Sequence, residues 1–152
     1  MADIVFTARF KQQVRNLFGS VFEQIQSTEI MAKLGALQLH RTKARTARGE
    51  DIHGAAFTPY SEMWAANRKA RGRQTGHVDL NDSGRMYVAL QADAEVGSVH
   101  MFFGSDQAAK AHGHQMGVTN KAPGWGPTPS REFFGFGKGD VQELVEELRR
   151  AL

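Results

Sequence analysis

The chain has 152 residues, a length that fits one domain with its own core. Hydrophobic residues make up 41% and charged residues 23%, and the formal net charge is +3, so neither disorder nor extreme basicity is indicated. The lack of cysteine excludes disulfides, zinc–thiolate sites and thiol nucleophiles, and suits a reducing compartment.

The opening residues Met1-Ala2-Asp3-Ile4-Val5-Phe6 carry neither a basic leader nor a long apolar run. No stretch reaches membrane-spanning length, so no membrane partner is expected. Val14, Leu17, Phe18, Val21, Phe22 and Ile25 recur at three- and four-residue steps, which predicts an amphipathic helix. Ser27-Thr28-Glu29 reads as a break and a fresh N-cap with an acid in the first turn. Ile30, Met31, Leu34 and Leu37 continue a second helix. Its end is basic through Arg41, Lys43 and Arg45, as the negative pole of a helix dipole favours.

Gly49 to Pro59 reads as a loop, and Ser61 as the cap of a short helix from Glu62 to Ala70. Arg71 to Gly76 reads as an exposed loop and Asn81-Asp82-Ser83-Gly84 as a turn. From Met86 the pattern alternates, and Val99, Met101 and Phe103 alternate again after Ala94-Glu95-Val96-Gly97-Ser98. This predicts an antiparallel hairpin with one buried face. Ser105-Asp106 is expected to cap a helix from Gln107 to Gln115, Gly117 to Gly126 to be loop, and Thr128 to Phe136 to be a third extended segment that pairs with the hairpin. In such a strand Phe133 and Phe134 are expected to serve the core, with adjacent rings on opposite faces so that one reaches a second layer or a neighbouring subunit. The last helix starts at Asp140, with Glu143 placed for a capping box, and buries Val141, Leu144, Val145, Leu148 and Leu152. The order predicts an α+β fold: N-terminal helices and a C-terminal amphipathic helix packed on a small antiparallel sheet built around a β-hairpin. It is read as one domain over 1–152, with exposed loops at 45–60, 70–80 and 117–128.

Charge is unevenly spread. Between Gln38 and Gly76 stand Arg41, Lys43, Arg45, Arg48, Arg68, Lys69, Arg71 and Arg73, opposed only by Glu50, Asp51 and Glu62. Such a zone suits phosphate or an acidic protein surface, or a plain solvated face. Signals for chemistry are weaker. His112-Gly113-His114 would bring two imidazoles to one ion only on an extended chain, and His53, His77, His100 and Asp106 have no ligand-like spacing to complete the site. Asp79 and Asp82 are explained by turn formation, and nothing sets Asp93 and Glu95 beside a cleft. No Ser lies in a nucleophile elbow. Gly135-Phe136-Gly137-Lys138-Gly139-Asp140 resembles a phosphate loop superficially, but Asp140 sets a carboxylate where phosphate would sit. No catalytic residue, metal or cofactor is expected.

Three stretches carry a resemblance. They are Gly49-Glu50-Asp51-Ile52-His53-Gly54-Ala55-Ala56-Phe57-Thr58-Pro59-Tyr60-Ser61, then Val78-Asp79-Leu80-Asn81-Asp82-Ser83-Gly84-Arg85-Met86, and then Ala111 to Gly117 followed by Pro129-Ser130-Arg131-Glu132-Phe133-Phe134-Gly135. In this order they resemble the virion morphogenesis, or tail-completion, family of tailed bacteriophages over Ile30 to Leu152. Phe57 stands where related proteins often carry Trp, and two aromatics follow Arg131 where one is usual.

The resemblance implies a non-enzymatic virion protein assembled in the bacterial cytoplasm. It would form a homo-oligomeric ring, on the order of six or twelve copies, through head-to-tail patches at the neck or top of the tail. Its neighbours would be other neck, head-completion and tail-tube proteins, with DNA only as non-specific channel content. Candidate interface patches are the loops Arg45 to Phe57 and Ala70 to Val78 and the segment Trp125 to Phe134, with Arg45, Arg48, Phe57, Tyr60, Arg71, Arg73, Trp125, Arg131, Phe133 and Phe134 as the candidate residues. Arg131 is expected either to meet a neighbour's acid or to pin its own C-terminal helix. The alternative readings are a small basic DNA-binding module, marked by steep salt dependence, and a metal-dependent hydrolase using His112 and His114.

Overall fold

The computed structural model describes residues 4–5, 8–19, 25–118 and 127–151. Helix α1 spans Ala8–Phe18. Of the predicted stripe, Val14 and Ile25 are buried and Leu17 is half exposed, while Val21 and Phe22 lie outside the described residues. Helix α2, Thr28–Arg48, begins where expected, with Ser27 Oγ accepting from Ile30 N–H at 3.3 Å and Glu29 in the first turn. It runs on through the basic segment and stops at Gly49, whose φ of +83° only glycine adopts at low cost. Arg45 and Arg48 are therefore helical rather than part of a loop.

A three-stranded antiparallel sheet of order β1-β3-β2 lies against α2. Strand β1 is Ile4–Val5, β2 is Leu90–Glu95 and β3 is Ser98–Phe103. The hairpin register runs from Leu90 opposite Phe103 to Glu95 opposite Ser98, so the turn is only Val96-Gly97. Leu90, Ala92, Val99 and Met101 turn inward, while Gln91, Asp93, Glu95 and His100 turn out. Gly35 lets the helix approach, because a Cβ there would lie 2.9 Å from Val99 Cγ1.

Three expectations fail for identifiable reasons. Helix α3, Glu62–Ala70, forms as expected, but α4, Arg85–Ala89, replaces the first half of the predicted strand. Met86 and Leu90 are buried while Val88, between them, is 79% exposed, so the inward spacing is four and not two. The segment from Thr128 does not join the hairpin. Thr128 bridges Val118 instead, Arg131 N–H donates to the His114 carbonyl at 2.8 Å, and β1 supplies the third strand. Without a strand's alternation, Phe133 and Phe134 both enter the core and stack on Phe103, at 5.8 and 5.1 Å between centroids.

Helix α5, Ser105–Met116, has Gly104 at its cap position with no side-chain cap. Helix α6, Asp140–Ala151, buries Leu144, Val145 and Leu148 as predicted. The capping box is not made: Glu143 N–H donates to the Gly139 carbonyl and its carboxylate pairs with Arg41. None of the described helices is long and apolar enough to cross a membrane.

Candidate assembly site at the loop junction

Two carboxylates organise the polar interior. The first is Asp140, 1% exposed. Its Oδ1 accepts from Arg41 Nε at 2.7 Å, and its Oδ2 accepts from Gln38 Nε2 at 2.9 Å, Arg45 Nη1 at 3.0 Å and Gly137 N–H at 2.6 Å. Arg45 also donates to the carbonyls of Phe133 and Gly135. Burial raises the carboxyl's proton affinity, but the bonds from Gln38, Gly137 and Arg41 and the charge of Arg45 outweigh it, and the pKa falls below its ordinary value. The glycine-rich entry to α6 is thus filled by the protein's own carboxylate, as the sequence indicated. This clasp joins α2 to α6.

The second is Asp79, between α3 and α4. It accepts from Arg68 Nη2 at 3.1 Å, Tyr60 Oη at 3.0 Å, Gln74 Nε2 at 2.7 Å and Asn81 N–H at 3.0 Å. Arg68 is 2% exposed and spends its other nitrogens on the Gln74 and Asn81 carbonyls, while Tyr87 Oη donates to the Asp79 carbonyl at 2.6 Å. Burial works against the charge of Asp79, yet Gln74, the Asn81 N–H, Tyr60 and Arg68 together hold its pKa down. Burial, then Asp79, pushes the Tyr60 phenol up, and the same two causes push Tyr87 up. Both phenols are neutral hydrogen-bond donors at neutral pH. Between these anchors Leu80 is held buried at φ +51°, a strained conformation for a side chain branched at Cγ.

Tyr60 ties this network to the third stretch. Arg68 lies 4.7 Å from its ring centroid and Arg131 5.9 Å. Arg131 donates from Nε and Nη2 to the Thr58 carbonyl, at 3.3 and 3.1 Å. Ile52 N–H donates to the Glu132 carbonyl, and Lys138 N–H to that of Ile52. The Gln115 side chain brackets the Phe134 backbone through both its amide atoms. The three stretches picked out from sequence thus converge on one junction, although they are far apart along the chain. Beside it opens a groove of about 710 Å³, walled by Pro59, Met63, Trp64, Leu80 and Pro129, with Lys110 and Arg131 among its lining.

The candidate interface residues divide sharply. Arg45, Phe57, Arg131, Phe133 and Phe134 are buried within the single chain, so they do not form an exposed patch on it. Tyr60 is half-buried in the junction. Arg48 is exposed and paired with Glu50 at 3.0 Å. Arg71 stacks 5.1 Å from the Trp64 ring and pairs with Asp82 at 3.0 Å. Arg73 is exposed on the 71–77 loop, and Trp125 lies outside the described residues. Arg131 pins the 58–60 loop rather than the C-terminal helix. Of the basic zone, Arg41, Arg45, Arg48, Arg68 and Arg71 have carboxylate partners, which removes much of the charge excess seen in sequence. His112 and His114 sit two residues apart on α5, where a helix points them to different sides, so the extended pairing that a shared ion requires is not made. Missed altogether were Gln38 and Gln115, neutral side chains whose partners lie in distant segments.

The fold and junction define a small α+β module whose buried charges are engaged in holding its loops. The chain belongs to the phage virion morphogenesis family, whose model matches residues 10–152. No curated protein and no solved structure matches it.

Proposed function

We propose that this protein is a non-enzymatic structural subunit of a tailed-phage virion. It forms a closed homo-oligomeric ring at the neck, completes the tail and joins it to the DNA-filled head. Family membership over residues 10–152 carries this reading. The junction supports it: Asp79, Tyr60 and Arg68 are committed to one another, leaving rigidly mounted loops rather than a poised acid–base pair. The ring is assembled in the host cytoplasm, contacts neighbouring neck and tail-tube proteins, and meets DNA only as channel content. The DNA-binding alternative loses weight because most of the basic zone is neutralised within the chain.

Electron microscopy of lysates from a phage with this gene disrupted tests the reading. Separate filled heads and finished tails are expected. Intact infectious particles would overturn it, and tails of abnormal length would move the protein from joining to tail termination.

A further inference from the structure

The groove beside Tyr60 has a feature that the folding of one chain does not explain. Three arginines are buried: Arg45 faces Asp140 and Arg68 faces Asp79, but Arg131, 5% exposed, pairs with no carboxylate among the described residues. Its Nε and Nη2 use the carbonyls of Thr58 and Pro59, and its Nη1 meets no hydrogen-bond acceptor among the described residues. Burial presses its pKa down, and only Tyr60 works in the other direction. Nearby, exposed Lys110 likewise has no carboxylate partner among the described residues, while the groove acid Asp82 is taken by Arg71. The groove is therefore apolar along Met63, Trp64 and Pro129, with unmet positive charge beside that wall.

The complement lies on the same chain. The hairpin turn projects Val96, 74% exposed, immediately after Glu95 and three residues after Asp93. Both acids are exposed on the outer face of β2, and neither forms an ion pair among the described residues. An apolar knob beside acids without bases matches an apolar slot beside bases without acids among the described residues. We propose that the hairpin tip of one copy seats in the groove of the next, with Val96 against Met63 and Trp64, and Asp93 and Glu95 facing Lys110 and Arg131. The two patches differ, so the contact is head-to-tail and propagates around a closed ring. Desolvating the acids against Arg131 supplies the compensation that the single chain lacks. The inference rests on the ring reading above and names the contact that builds it.

The absence of native cysteine makes the test clean. Phage carrying the double variant Val96→Cys/Met63→Cys are purified and treated with a short bismaleimide. A series of covalent oligomers is expected from the double variant and none from either single variant. A second pair, Glu95→Cys/Lys110→Cys, guards against one pair being out of reach. Particles that contain the protein but yield no oligomers from either pair would overturn this contact while leaving the neck ring standing. Covalent dimers from a single variant would overturn it by showing a two-fold contact. Should the cysteine variants block assembly, the charge exchange Glu95→Lys is expected to abolish plaques and Lys110→Glu to restore them in combination, and failure to restore would equally reject the pairing. Infectious particles without the protein would remove the neck reading itself.

Discussion

The two buried carboxylate clusters are built from the same parts and balanced differently. At the α2–α6 clasp, Asp140 faces Arg41 and Arg45, and Glu143 adds a second acid on Arg41, so charge is met inside the chain. At the loop junction one acid, Asp79, serves Arg68, while Arg131 is left with carbonyls and the Tyr60 ring. The closed cluster fastens secondary structure. The unbalanced one borders a groove. Buried charge met by a carboxylate serves the fold, even with Arg45 Nε and Gln38 Oε1 left without hydrogen-bond partners at the clasp, and the charge without an acid at the groove wall is the one we propose a neighbouring copy meets.

The sharpest way to break the comparison is at the clasp. Asp140→Ala leaves Arg45 buried with no acid and frees Gln38 and the Gly137 N–H as well. Removing one partner of a buried pair costs about 3–5 kcal/mol, read as a lowered urea midpoint at neutral pH. At the junction, Arg68→Ala strips Asp79 of its cation and the Gln74 and Asn81 carbonyls of their donor. Asp79 is less deeply buried and keeps Tyr60 and Gln74, so the loss is smaller, about 2–3 kcal/mol.

Acid weakens both clusters. Asp140 and Asp79 both have pKa values lowered in the fold, so the unfolded chain binds more protons than the folded one in the acid range. Their stabilisation is therefore present above the ordinary carboxylate range and is lost as pH falls through the folded values. The urea midpoint should hold steady from neutrality to about pH 5 and fall below about pH 4. In Asp140→Asn the fall should be shallower, because one of the contributing carboxyls is gone. An acid limb identical to that of the unsubstituted chain would show that the clasp carboxylate is not a source of pH dependence.

How far these clusters were legible in sequence follows from the range of their contacts. Local features could be read: the Ser27 and Ser61 caps, α3 at Glu62–Ala70, and the apolar stripe of α6 each depend on residues within four positions. The hairpin was legible from alternation, but Met86 to Leu90 fits spacings of two and four equally, and only the burial of Leu90 and exposure of Val88 decide. The inner face of α2 switches from Met31 and Leu34 to Gln38, Thr42, Arg45 and Thr46, which in sequence reads as solvent-facing. Its partner Asp140 lies about a hundred residues away and looks like a helix cap. The three family stretches meet at the junction because they hold the turns that bring it together, a convergence their spacing in sequence did not reveal. They said nothing of which side chains would be buried there.

The smallest expected effect is the most discriminating. Arg131→Met keeps much of the side chain's length and apolar bulk but removes a buried cation that has no acid to meet. Replacing unpaired buried charge by an apolar group of similar shape is close to neutral. The carbonyls it leaves, on Thr58 and Pro59, belong to exposed residues and can turn to water. The isolated chain should therefore change stability by less than about 1 kcal/mol, against several for Asp140→Ala, while infectivity falls because the incoming acids keep only Lys110. A large destabilisation of the free chain would mean that the hold of Arg131 on the 58–60 loop matters to the fold as much as that of Arg45 on Asp140, and the two clusters would then differ in degree rather than in kind.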